Sequence, residues 1–140
     1  MKKFYIIALV AIIATVMVSG CTTEPTPTNN HTNNHTGNHT LILVSDGTEI
    51  SYEECAARGV NDKVIVLHTS GCPACGIAVP ILEELSEEID YEFEFIELST
   101  NVERAYEIGI LPTHVPTALI KCKAYTGAKT KEEYKNLIGV

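Results

Sequence analysis

The stretch Val64-Ile65-Val66-Leu67-His68-Thr69-Ser70-Gly71-Cys72-Pro73-Ala74-Cys75-Gly76-Ile77-Ala78-Val79-Pro80 decides the fold, because its pattern changes once and two cysteines mark the change. Val64 to Leu67 is continuously apolar, which suits a central strand buried on both faces of a sheet. From Pro73 onward the period becomes helical. Ile77, Ala78, Ile81, Leu82, Leu85 and Ile89 form an apolar stripe opposite Glu83, Glu84, Glu87 and Glu88. Pro80 falls inside this helix and removes one backbone hydrogen bond, so a bend is expected; the stripe resumes in register, which argues against a break.

Cysteines three positions apart at a strand-to-helix junction lie within disulfide reach. Cys72 falls at the helix N-terminus, where unpaired amides and the positive end of the macrodipole favour a thiolate, so it is the expected nucleophile. Pro73 suits the first helical position, having a preset φ and no N–H to leave unsatisfied. Cys75, one turn inside, is the expected resolving thiol. A zinc half-site needs two further ligands, and the chain has no second Cys-x-x-Cys; Cys55, Cys122, His68 and His114 are scattered without ligand spacing. A purely structural Cys72–Cys75 bridge closes too small a loop to constrain the unfolded chain much. The expected redox centre is therefore the dithiol itself, with no metal and no added cofactor.

Working outward, Leu41 to Ser45 reads as a strand ending at the Asp46-Gly47 turn, and Ser51-Tyr52-Glu53-Glu54 as a capping box opening a helix that stops near Gly59. Tyr91 to Leu98 alternates like a strand, Val102 to Ile108 reads as a short helix, and Thr117 to Ile120 as a strand paired with Lys123 to Thr126. Thr130-Lys131-Glu132-Glu133 caps a last helix that buries Tyr134, Leu137 and Ile138, with Gly139 beyond it. The order βαβαβαββα is an α/β domain ending in a hairpin.

With these landmarks in register, residues 41–140 resemble the thioredoxin superfamily. Cys72-Pro73-Ala74-Cys75 follows its apolar strand at the family's spacing, Pro80 falls where the family's kinking proline falls, and Val79 to Leu85 is similar to the stretch found there. Val115-Pro116-Thr117, before an apolar strand, matches the family's cis-proline loop. The resemblance implies a three-layer fold with a central mixed sheet flanked by helices, and a substrate-binding role for Val115 and Pro116 beside Cys72. Pro112 competes for the cis position, but Pro116 has the strand that such a loop must feed.

The departures matter as well. Where thioredoxins place a buried Asp this chain has Val66, and where they place a Trp before the first cysteine it has Gly71, which counts against a general cytoplasmic reductant. The Cys-Pro-x-Cys order is closer to glutaredoxins, though no glutathione site is recognisable. His68 is a candidate proton carrier, since a histidine ordinarily titrates near neutrality; a structural histidine at a strand end is the plainer reading. Cys55 and Cys122 form either a structural disulfide, as an even remainder in an oxidising compartment does, or two buried thiols.

The N-terminus supplies an address. Lys2 and Lys3 precede an almost uninterrupted apolar run from Phe4 to Val18, the anatomy of an export signal over residues 1–20. Val18-Ser19-Gly20-Cys21 resembles the lipobox of prokaryotic lipoproteins, with Cys21 the lipidated residue. An uncleaved anchor helix is the other reading, although the run is shorter than the ~20 residues that span a bilayer. Both place the domain at the extracytoplasmic face of the cell membrane. Residues 21–40, rich in Asn, Thr and His, read as a flexible linker. Asn30, Asn34 and Asn38 each open an Asn-x-Thr sequon and are candidate N-glycosylation sites. His31, His35 and His39 share that period, but an unstructured segment loses chain entropy on converging them around a metal. Lipobox and sequons together point to an archaeal source.

The net charge is −8, all 18 acidic residues lie after Cys21, and no basic patch exists, so nucleic acid is not an expected partner. The leading expectation is a monomeric thiol–disulfide oxidoreductase exchanging disulfides with exported proteins, and with a membrane redox partner, in the service of cell redox homeostasis. Alternatives are a metal- or client-binding thioredoxin-like lipoprotein without catalysis, or a surface lipoprotein whose dithiol is vestigial.

Overall fold

The structure, a computed structural model, describes residues 39–140. The export segment, Cys21, and the sequons at Asn30, Asn34 and Asn38 lie outside the described residues. Along the chain run β1 (Ile42–Val44), α1 (Tyr52–Ala57), β2 (Lys63–His68), α2 (Pro73–Glu88), β3 (Glu92–Glu97), α3 (Val102–Ile108), β4 (Ile110–Pro112), β5 (Thr117–Ile120), β6 (Lys123–Thr126) and α4 (Lys131–Ile138). The main sheet has the order β3-β2-β5-β6, with β2 parallel to β3 and antiparallel to β5. β2 is central because Val64 to Leu67 are wholly buried and have no polar side chain to present to water.

Alternation along β2 and β5 sorts the core into two layers. Val64, Val66, Ala118 and Ile120 pack with Leu82 and Leu85 of α2 and Tyr134 and Ile138 of α4. Ile65, Leu67 and Leu119 point the other way, to Cys55 of α1, Ala105 and Ile108 of α3, and Val44 of β1. The result is a mixed four-stranded sheet between two helical layers, the arrangement implied by the resemblance.

Three details differ from the sequence reading. β4, a three-residue strand, pairs in parallel with β1, Ile42 against Ile110, and brings Pro112 into a strand opposite Val44. Ile77 is 59% exposed, because the buried seam of α2 follows Cys75, Ala78, Leu82 and Leu85 and leaves the neighbouring flank to solvent. The Ser51 box is half formed: its Oγ accepts the N–H of Glu54, while the Glu54 carboxylate pairs with Arg58. Thr130, by contrast, makes the full reciprocal box with Glu133. α2 runs through Pro80 without a break.

Cys55 and Cys122 are joined by a disulfide, which decides between the two readings of that pair. Cys122 sits in the two-residue β5–β6 turn with Lys121, both at positive φ. Buried Arg58 ties three segments together, donating to the carbonyls of Ile108, Gly109 and Thr40. A Cβ on Gly109 would lie 2.2 Å from an Arg58 nitrogen, so only glycine fits.

Candidate functional site

The β2–α2 junction is built so that one sulfur is presented and the other withheld. Gly71 adopts φ +78°, a conformation that strains an L side chain, and turns the chain from β2 into α2. This explains why no tryptophan stands there: the backbone at that point calls for glycine. Cys72 is the N-cap of α2 and Pro73 its first residue. The Cys72 Sγ accepts the Cys75 N–H at 3.2 Å, taking the place a capping hydroxyl usually fills. Cys72 is half-buried, whereas Cys75 is 3% exposed.

These surroundings separate the two thiols as acids. A hydrogen bond from the Cys75 thiol lowers the Cys72 pKa; burial, next in size, opposes it, and the backbone N–H groups of Cys75 and Ala74 add to the lowering. Burial first, and then the bond given to Cys72, raises that of Cys75. The hydrogen-bond pattern therefore makes Cys72 the sulfur that ionises first.

Facing it is the loop before β5. Val115–Pro116 is a cis peptide bond, the one such bond among the described residues, and Pro112 is trans. The Val115 carbonyl accepts the Cys72 thiol at 3.6 Å, so deprotonation of Cys72 frees that carbonyl for another donor. Pro116 is buried, and Thr117 anchors the loop by donating to the His114 carbonyl at 2.7 Å.

A cleft of about 260 Å³ opens beside the dithiol, lined by both cysteines with His68, Ser70, Gly76 and Pro80 among its walls. His68 shares this cleft but makes no hydrogen bond to either sulfur among the described residues. Val66 is fully buried beneath the site, where it packs with the α2 and α4 layer. Among the described residues no cluster of three His, Cys, Asp or Glu side chains is arranged to hold a metal ion, and no helix is long and apolar enough to cross a membrane.

One residue that sequence reasoning missed is Glu97, at the end of β3. Its carboxylate accepts the Ser70 N–H at 2.8 Å and the Ser70 hydroxyl at 3.1 Å. Nothing in the local sequence around Glu97 announces this contact, which depends on the register of β3 against β2.

No protein-family model matches the chain, and no curated protein matches it. Among solved structures it is similar to reduced thioredoxin pre-protein from Schistosoma mansoni, with 23% identity over 72% of this chain and 97% of that one, at a TM-score of 0.44. The chain itself is a mixed α/β protein with a four-stranded mixed sheet flanked by helices.

Proposed function

We propose that the protein is a thiol–disulfide oxidoreductase, tethered at the extracytoplasmic face of the cell membrane through lipid on Cys21 or an N-terminal anchor, that exchanges disulfides with exported proteins. The observation that supports this reading best is the asymmetry of the dithiol: Cys72 caps α2 and accepts the Cys75 N–H, while Cys75 lies buried behind it.

The Cys72 thiolate attacks one sulfur of a protein disulfide. A Cys72–substrate disulfide forms, the substrate disulfide breaks, and the released thiolate takes a proton from solvent. Cys75 then gives up its proton and attacks the Cys72 sulfur. The Cys72–Cys75 disulfide forms and the second substrate thiol leaves, so one protein disulfide has been reduced for one dithiol oxidised. The same steps in reverse oxidise a substrate dithiol. In this reading Val115 and Pro116 offer backbone to an extended substrate segment next to Cys72, and His68, which lines the same cleft, relays the Cys75 proton. Direction depends on the reduction potential, for which about 30 mV corresponds to about 1.4 kcal/mol.

Replacement of the resolving thiol tests the scheme. Cys75→Ala is expected to accumulate covalent mixed disulfides with exported proteins, released by reductant and absent in Cys72→Ser; equal trapping in the two variants would refute the assignment of nucleophile. Cys21→Ser is the companion for the tether: release of the domain to the medium supports lipid anchoring, and retention supports the uncleaved helix.

A further inference from the structure

The loop that delivers Cys72 to α2 is gripped by one carboxylate. β2 and β3 run parallel with His68 opposite Glu97, so the last residue of β3 faces the chain as it leaves β2. One oxygen of Glu97 accepts from Ser70, through both its N–H and its hydroxyl, and from Ser99. The other accepts from Ser99 and Thr100, each at 2.7 Å. The Ser99 hydroxyl also meets that of Ser70 at 3.3 Å. The backbone of Thr100 and Asn101 donates to the Glu97 carbonyl, which fixes the far side of this knot in the β3–α3 turn. These donors, led by Ser99 and Thr100, hold the carboxyl at about pKa 2.

Between Ser70 and Cys72 there is only Gly71, whose missing Cβ would meet nothing within 4 Å. A glycine with open space around it does little to fix the direction of the following residue. Downstream, Cys72 is held by α2, whose Gly76 N–H donates to the Cys72 carbonyl; upstream, the hold nearest to it is the one on Ser70.

Building on the dithiol reading, we propose that Glu97 is a positioning residue, which grips Ser70 and thereby keeps the Cys72 sulfur at the start of α2 where the Cys75 N–H reaches it. A direct electrostatic effect has the opposite sign. A nearby negative charge disfavours a thiolate, so a merely electrostatic Glu97 raises the Cys72 pKa, and removing it lowers that pKa. The grip favours the thiolate, and losing it raises the pKa.

The test is the pH dependence of alkylation at Cys72, located by mass spectrometry in the full-length chain with its dithiol reduced. Glu97→Asp keeps the charge but shortens the reach, so it cannot hold Ser70 together with Ser99 and Thr100. The expected result is a midpoint raised by about half a unit, or about threefold less thiolate at a fixed pH below the midpoint. Glu97→Gln keeps the reach and loses the charge; a rise there also supports the grip, because loss of negative charge cannot raise a thiolate pKa. An unchanged or lowered midpoint in Glu97→Asp overturns the proposal. Ser70→Ala, at an exposed position, is expected to move the midpoint upward by less and carries the test if the Glu97 variants do not fold, an unchanged midpoint then overturning it. The titration reads Cys72 whether or not the protein exchanges disulfides. Failure to trap substrates with Cys75→Ala therefore refutes the oxidoreductase reading and leaves the grip standing.

Discussion

Cys72 and Cys75 carry the same side chain, and their positions on one helical turn make them different acids. Three N–H or S–H donors converge on the first, while burial dominates the second. Since the thiolate is the reactive form, alkylation at Cys72 should reach half its limiting rate below pH 9.0, the ordinary value for a thiol, and alkylation at Cys75 above it. Site-resolved alkylation across a pH series measures both midpoints, and coincident midpoints would contradict the asymmetry. This part of the site was legible in the sequence because the rule that creates it is local: a helix start offers N–H groups to whatever side chain caps it. Pro116 was legible only through the resemblance, since Val115-Pro116-Thr117 before an apolar strand matches the family's cis-proline loop while propensity alone does not single out a cis bond. Glu97 was not, because its partner Ser70 is 27 positions away and only the pairing of two strands brings them together. Arg58 was hidden in the same way, with partners at Ile108 and Gly109.

Among the elements, α2 shows how far periodicity carries. The stripe correctly named Ala78, Leu82 and Leu85 as buried, and it was drawn too wide by one flank, on which Ile77 is exposed. A pattern of apolar residues reports which face can be buried, and the neighbouring layer decides how much of it is covered. Leu82→Ala should therefore lower stability by about 2–5 kcal/mol, while Ile77→Ala stays within about 0.5 kcal/mol, as measured by urea unfolding. Similar losses in the two variants would show the seam to be misplaced. β4 escaped the sequence reading because three residues are too few to display a period, and its existence depends on β1 lying alongside.

At the scale of the molecule, the α/β class followed from the order of the elements, and the unbroken apolar run Val64 to Leu67 marked the strand that must be covered on both faces. The disulfide did not follow, because sequence gives no distance between a helix and a hairpin turn 67 residues apart. Closing a loop of that length is worth about 4 kcal/mol in the chain-entropy account. Replacing Cys55 and Cys122 together by Ala should cost about that much in urea unfolding while Cys72 alkylation keeps its pH midpoint; a loss below about 1 kcal/mol would mean the bridge contributes little to holding the fold.

The location of that bridge has a further consequence. Cys55 and Cys122 belong to the core layer between the sheet and α1 and α3, whereas α2, which carries Cys75, packs against the opposite face. The buried stretch Val64 to Leu67 of β2 and the whole of β5 stand between them. Sulfur exchange requires one sulfur to approach another along a line of attack, and a close-packed sheet bars that approach within one molecule. The chain thus carries two sulfur pairs in separate compartments of a single domain: one can be charged and discharged by partners arriving from outside, and the other is shielded from scrambling by the wall it helps to brace.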